Sequence, residues 1–396
     1  MIRERQSHPE APIGAEDRAY LKTKEYLKGH DLSGVTIGYA SDGEGPQFCG
    51  DTAADSMNIV FPGTVTAPDG HVWQRGHYMH RMLGHWYDNK VHINAPDSQI
   101  GTAVSLGLPL LTAAGVTDEQ LIDLAHTSKS VPGSEAWRRH SRKTGGHILC
   151  VTTSSEVHHR PLGRALGLDG MVGTDMSIDR ARRAFDHASQ GEDELDSARA
   201  FIDRSMALMD GIEVGTLDPN ELTESVAEYY LDTVGILRGP RQHRTTIAAQ
   251  QIDRTDLMGS TAKRGAAKAY FEALPETAVR VAIGDGSNDK TMLHSVSNSI
   301  GVNGWQAANA STFGLITHDM SVMATLGEIL KDVDPERTRR HQEVINRVRG
   351  SDAFKKAGAE LHAGGRLYRN ALSLRYRQMH NEAREAVRGA VGIALI

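Results

Sequence analysis

Residues 280–293, RVAIGDGSNDKTML, carry Asp285 and Asp289 four positions apart, with Asn288 between them, directly behind an apolar run. A plain turn needs only an Asn-Gly or Asp-Gly pair. The extra charge therefore asks for a chemical reason. Two other apolar runs end in the same way. GVTIGYASDGEGP leads into Asp42 and Glu44, and GGHILCVTTSS ends on Thr152, Thr153, Ser154 and Ser155. Lys263, in STAKRG, stands some way before the Asp285 loop, with Lys268 as its competitor. Clustered carboxylates repel one another unless a cation sits among them, and hard oxygen ligands suit Mg²⁺. Mg²⁺ leaves positions open for water and phosphate. A free carboxylate beside it can attack phosphorus, while a lysine and a hydroxyl steady the phosphoryl oxygens.

Such residues, far apart in the chain, must be brought together by regular elements. The three apolar runs read as strands, with SIGVNG a weaker fourth and GLITHD a fifth. Helical spacing marks EDRAYLKTKEYLKGH, LGLPLLTAAG, TDEQLIDLAHTS, GSEAWRRHSRK, EVHHRPLGRALGL and STAKRGAAKAYFEAL. Strands alternating with helices predict an α/β fold, a doubly wound, Rossmann-like parallel sheet. In such a sheet the carboxyl ends of the strands share the edge at which ligands bind. Residues 47–96 are rich in His, Trp, Tyr and Gly and show little periodicity. Residues 175–234 read as mostly helical, with GEDELD as an exposed loop, and the tail from about Pro335 reads as helical throughout.

The bulk properties narrow the classes. The chain has 396 residues, 39% of them apolar, enough for a sizeable core and two or three domains. No apolar run approaches the roughly 18–20 residues of a membrane helix, and the polar start lacks the apolar centre of a secretory signal. Two cysteines make no disulfide framework, so a cytoplasmic location is expected. A net charge of −6 argues against a general nucleic-acid binder. From Asp334 onward, however, thirteen Lys and Arg face seven Asp and Glu. A solvated helical surface explains that excess, as does attraction of an anionic partner or substrate. His77, His80, His85 and His92 invite a zinc reading, but no acidic or Cys pattern completes it. His158 and His159 are expected to be partly exposed in the first turn of a helix.

These motifs resemble those of the haloacid dehalogenase superfamily, whose main activity is Mg²⁺-dependent phosphate-ester hydrolysis. Gly284-Asp285-Gly286-Ser287-Asn288-Asp289 matches its GDGxND motif. Asp42-Gly43-Glu44 matches its Asp-x-Asp motif with Glu in the second acidic position. Thr152 matches the hydroxyl ending the next strand, and Lys263 the lysine. The resemblance covers roughly residues 32–330. DGEGP together with LTAAGVTDEQLIDLAHTSKSVPGSE and VTTSS looks like a branch best known from archaea.

The resemblance implies that Asp42 is the nucleophile and that Glu44 protonates the leaving oxygen and then activates water. Asp42, Asp285 and the main-chain carbonyl of Glu44 would ligate Mg²⁺. Thr152, or its neighbour Thr153, would hold the phosphoryl group with Lys263 and Asn288, and Asp289 would steady Lys263 or a metal-bound water. Glu44 adds a methylene, and a one-ångström misplacement can cost about 10²-fold in rate. Either Gly43, Gly45 and Pro46 shape a compensating loop, or the enzyme is slow or specialised.

Asp42, Thr152 and Lys263 stand about 110 positions apart in turn, against roughly 30 for a bare strand-helix-strand crossover. Both intervals therefore hold extra structure. The expected core is 1–46, 140–174 and 255–333, with a cap at 47–139 and a second, mostly helical insertion at 175–254. A helical tail at 334–396 would pack on the core or pair with a second subunit. The expected activity is hydrolysis of a small phosphorylated metabolite through an aspartyl phosphate. The alternatives are a phosphotransferase, a phosphonate or halide hydrolase, or a catalytically weak phosphate-binding regulator.

Overall fold

The computed structural model describes residues 13–91, 99–236, 244–333, 340–365 and 372–390. Seven strands form the main sheet: β1 (Ile37–Ser41), β2 (Gly146–Ser155), β3 (Gly170–Thr174), β4 (Val279–Gly284), β5 (Ser299–Val302), β6 (Phe313–Ile316) and β7 (Glu360–Ala363). Their order across the sheet is β7-β6-β5-β4-β1-β2-β3. All pairs are parallel except β6–β7. From β1 the chain winds outward through β2 and β3, then returns to lay β4 on β1's other side. The winding direction reverses between β1 and β4, where an open α/β sheet forms its ligand crevice.

The strands are apolar on both faces, as a doubly covered parallel sheet requires. Ile37, Tyr39, Ile148, Val281 and Ile283 point to one side, against the helix Val322–Asp332 and the tail. Ala40, Leu149, Val151 and Ala282 point to the other, against Ala262, Ala266 and Tyr270 of the helix Ser260–Ala273. That helix packs tightly along Ala15–Leu27, where Gly265 meets the backbone of Glu16.

A second apolar core joins the two long insertions. Met57, Trp86, Leu106 and Leu110 from the first pack with Phe185, Phe201, Tyr230 and Ala249 from the second. Phe201 stacks on Tyr229 at 4.3 Å between ring centroids. The helix Ser134–Lys143 packs instead on the sheet, its Trp137 edge-on to Tyr39 at 5.2 Å.

Two expectations fail here. GEDELD is no loop: it forms the first turn of the helix Gly191–Glu213, where acidic side chains favour the positive end of the helix dipole. Its Glu194 also accepts the N–H groups of Ile247 and Ala248, both at 2.9 Å, and so closes the next helix's open end. The tail is not helical throughout either. Residues 360–363 add antiparallel to the sheet edge, with Leu361 entering the core and His362 buried. A four-residue strand is too short to stand out from helical flanks by period alone.

The helix Leu372–Ala390 closes the tail over this edge. His380 is fully buried, and its Nε2 lies 3.1 Å from Nε2 of His362. Such a pair needs one ring to donate and the other to accept, which two neutral rings of opposite tautomer satisfy. Burial first, then the neighbouring His362 and Arg384, push the pKa of His380 down to about 3, and burial lowers that of His362. Histidines held below their unfolded value stabilise the fold fully above the ordinary pKa of about 6.5. That contribution is lost as pH falls toward the folded values, at about 1.4 kcal/mol per pH unit per group. The urea midpoint should therefore drop between pH 6.5 and 4.5, and drop less steeply in His380→Phe. Equal slopes in the two proteins would remove the pair as the cause.

Candidate active site

The register of β1 and β4 sets the site. Ser41 pairs with Ile283, and the N–H of Asp42 continues the ladder by donating to the Ile283 carbonyl at 2.8 Å. Asp42 and Asp285 thus leave neighbouring strands side by side at the carboxyl edge. Gly45 lets the two loops touch. It has φ of 98°, and a Cβ there would lie 2.4 Å from Cγ of Asp285. Gly284 does the same for Asp289, whose Cβ and Cγ would each meet an added methyl at 2.5 Å.

Lys263 binds the cluster from beneath. Fully buried, it donates to Oδ1 of Asp289 at 2.7 Å and reaches Oδ1 of Asp42 at 2.9 Å. Asp289, also fully buried, uses its other oxygen to accept the N–H groups of Asp285 and Gly286, at 3.0 and 2.9 Å. It is a fastening that fixes both the lysine and the loop. Lys268 sits elsewhere, over the ring of Tyr20. Asp42 Oδ1 also accepts the N–H of Gly43 at 2.7 Å, so Oδ2 is the oxygen left for chemistry.

The electrostatics are those of crowded acids. Burial first, and the Asp289 charge second, drive the pKa of Asp42 well above the usual carboxylate range, with Lys263 opposing. Asp285 is raised by burial and held back by Arg384. Carboxylate oxygens of Asp42, Asp285 and Asp289 all lie within 4.8 Å of one another. Among the described residues this is the one acidic or histidine cluster so arranged.

Glu44 reaches away from the Asp42–Asp285–Asp289 cluster. Its Oε1 accepts the N–H of Thr52 at 3.1 Å, at the start of the helix Thr52–Val60. Ser154 also bonds to it. His159 Nε2 lies 4.0 Å from Oε1 and 2.9 Å from the Thr52 hydroxyl. Burial and the neighbouring Asp51 raise the pKa of Glu44 to about 8. The added methylene therefore has a use: it carries the carboxyl out to the N–H of a helix end.

The two threonines of the hydroxyl tract point in different directions. Thr152 Oγ1 accepts the N–H of Ser154 at 3.1 Å, and its methyl abuts Gly173 of β3, away from the carboxylates. Thr153 faces the site instead. Its hydroxyl takes a 2.8 Å bond from Asn288 and donates to the carbonyl of Met258, just before Lys263's helix. Alternation along β2, which bulges after Val151, is the physical reason. His158 and His159 are buried, not partly exposed: His158 bonds Asp118 at 2.9 Å, while His159 stacks on Phe48. His77 bonds Asp55 at 2.7 Å, and His92 lies outside the described residues.

The wall opposite comes from the tail and has no local motif in the sequence. A cavity of about 230 Å³ opens between Asp42, Glu44, Asp285 and Asn288 on one side and Arg384, Val387 and Arg388 of the tail helix on the other. Arg384 forms an ion pair with Oδ2 of Asp285, which raises the pKa of the guanidinium. The charge excess of the tail was the available signal, and it did not say where the charge goes.

No protein-family model matches this chain, and no curated protein does. Among solved structures, gene product AF1437 from Archaeoglobus fulgidus is similar with a TM-score of 0.65 at 18% identity. The alignment covers 90% of this chain and 98% of that one. The likeness shows a shared fold over nearly the whole length. Two phosphoserine phosphatase structures, one a phospho-aspartyl intermediate analogue and one with bound substrate, align with TM-scores of 0.36 and 0.39. Their identities are 10% and 9%, over 70% and 73% of this chain.

Proposed function

We propose that the chain is a Mg²⁺-dependent phosphomonoesterase of the haloacid dehalogenase type, acting on a small phosphorylated metabolite through an aspartyl phosphate. One observation carries the reading: Lys263 clamps Asp42 and Asp289 at the sheet's switch point, with one oxygen of Asp42 left over beside Asp285. The Asp42-Gly43-Glu44-Gly45-Pro46 loop favours the archaeal-type branch. The joint helical body of 47–139 and 175–254, apart from the sheet-packed helix that begins at Ser134, serves as the cap, excluding water and reading the leaving group.

The residues fit a hard cation. Asp42 and Asp285 present carboxylate oxygens in one small volume, Asp285 through the oxygen that Arg384 does not hold, with the Glu44 carbonyl as a further donor, whereas both oxygens of Asp289 are already engaged. Bound Mg²⁺ would supply the positive charge that lets a phosphate dianion approach an anionic nucleophile. Asp42 Oδ2 attacks phosphorus, and the bond from phosphorus to the ester oxygen breaks. Glu44, carrying a proton in its buried site, delivers it to that leaving oxygen. The resulting carboxylate then takes a proton from water as the water attacks the aspartyl phosphate. Inorganic phosphate leaves, Asp42 is regenerated and Glu44 holds a proton again. Thr153, Asn288 and Lys263 orient the phosphoryl oxygens; Thr152 supports the strand end.

The test is Mg²⁺-dependent release of phosphate from p-nitrophenyl phosphate and from a panel of small phosphate esters. Glu44→Asp withdraws the carboxyl from the Thr52 N–H, and turnover should fall by about 10²-fold, the penalty of an ångström of misplacement. A faster Glu44→Asp enzyme would show that the longer side chain hinders rather than reaches. Silence of wild type and variant alike would favour a phosphate-binding regulator.

A further inference from the structure

Resting on the phosphatase reading, we infer that Arg384 and Arg388 of the tail helix determine specificity. They select phosphate esters whose leaving group carries a second anionic group, a carboxylate or another phosphate. The two arginines are one helical turn apart and share a face with Val387, and all three line the cavity that exposes Asp42 and Glu44. The tail helix is held in place by the buried His380 beside His362 and by Arg377 over the ring of Trp305 at 4.6 Å. It is therefore a wall of the site and not a loose appendage.

Position along the cavity assigns the role. The phosphoryl group belongs at the deep end, where Lys263, Asp42 and Asp285 meet. The leaving group must pass Glu44, its proton donor, and so extends between the segment Cys49, Gly50 and Asp51 and the tail helix. Arg384 stands at the boundary, paired with Asp285 and within the field of Asp51. Arg388 is exposed further out, and among the described residues it has no carboxylate partner. A neutral leaving group would gain nothing from a guanidinium that no described carboxylate bridges, whereas an anionic one gains a charge-assisted hydrogen bond, set against the like charge of Asp51 on the facing wall. The cavity of about 230 Å³ lies below the roughly 300–1,000 Å³ of drug-sized ligand pockets, which favours a leaving group of a few carbons.

A matched set of esters tests this with the full chain and Mg²⁺. 3-Phosphoglycerate and 1,3-propanediol bisphosphate carry the second anion as carboxylate and phosphate, and glycerol 3-phosphate carries none. Wild type should prefer at least one anionic ester over glycerol 3-phosphate by roughly 10–100-fold in kcat/KM, the worth of a hydrogen bond to a charged group. The better of the two identifies the second anion. Arg388→Gln should collapse that ratio to within about threefold, mainly through KM, while Arg388→Lys, which keeps a point charge, should retain part of it. A wild type indifferent to the second anion, or a ratio unchanged in Arg388→Gln, would overturn the inference while leaving the phosphatase intact. Failure to hydrolyse any ester would remove both.

Discussion

Asp42→Asn will abolish turnover, by about 10⁴-fold or more, and leave the fold standing. Asparagine keeps the shape of the side chain and one carbonyl oxygen. That oxygen can still accept the N–H of Gly43 and the ammonium of Lys263, now 2.7 and 2.9 Å away. Lys263 also retains Asp289. On the proposed reading, what disappears is the anionic oxygen that would strike phosphorus, and with it the covalent intermediate. Because Asp42 is buried among like charges, its loss also relieves repulsion with Asp289 and Asp285. The variant should therefore melt within a few degrees of wild type. Mass spectrometry of acid-quenched wild type should find a phosphorylated tryptic fragment containing residue 42, absent from the variant. Turnover retained within about tenfold would exclude Asp42 as nucleophile, since no neighbouring group reproduces a lost nucleophile.

How much of this was legible from residues alone depends on the kind of signal. Asp42, Asp285, Asp289 and Lys263 were legible because each sits at a strand or helix boundary that apolar patterning marks, and parallel order brings strand ends together. Thr152 against Thr153 was not. Side chains alternate along a strand, so a one-residue error flips the face, and the bulge after Val151 lies in that very stretch. Glu44's partner was hidden for a different reason: the N–H of Thr52 belongs to a helix start in a stretch with no clear period. Burial of His158 and His159 could not be read either, since it depends on Asp118 and Phe48, about 40 and 110 positions away. Arg384 is the furthest case. It meets Asp285 across 99 positions, through a tail docked by a four-residue strand.

Lys263→Met should cost both activity and stability, and the stability loss should be large. Methionine matches the length of the stem but leaves Asp42 and Asp289 facing each other without the cation between them. Removing one partner from a buried ion pair typically costs about 3–5 kcal/mol, because the remaining charge is stranded in low dielectric. Burial opposes the charge on Lys263, yet Asp289 and Asp42 hold its pKa well above the usual lysine range, so the ammonium is strongly favoured here. Denaturant midpoints should show the loss directly. The decisive comparison adds Asp289→Asn, which removes one stranded carboxylate. If the lysine and the acid form one unit, the double variant will be more stable than the sum of the two single losses allows, by about 1–3 kcal/mol of coupling. Strict additivity would mean that Lys263 supports the site through the helix Ser260–Ala273 and not through the carboxylates. On the proposed reading, the phosphoryl oxygens would then be held by Thr153 and Asn288, whose hydroxyl and amide already meet at 2.8 Å.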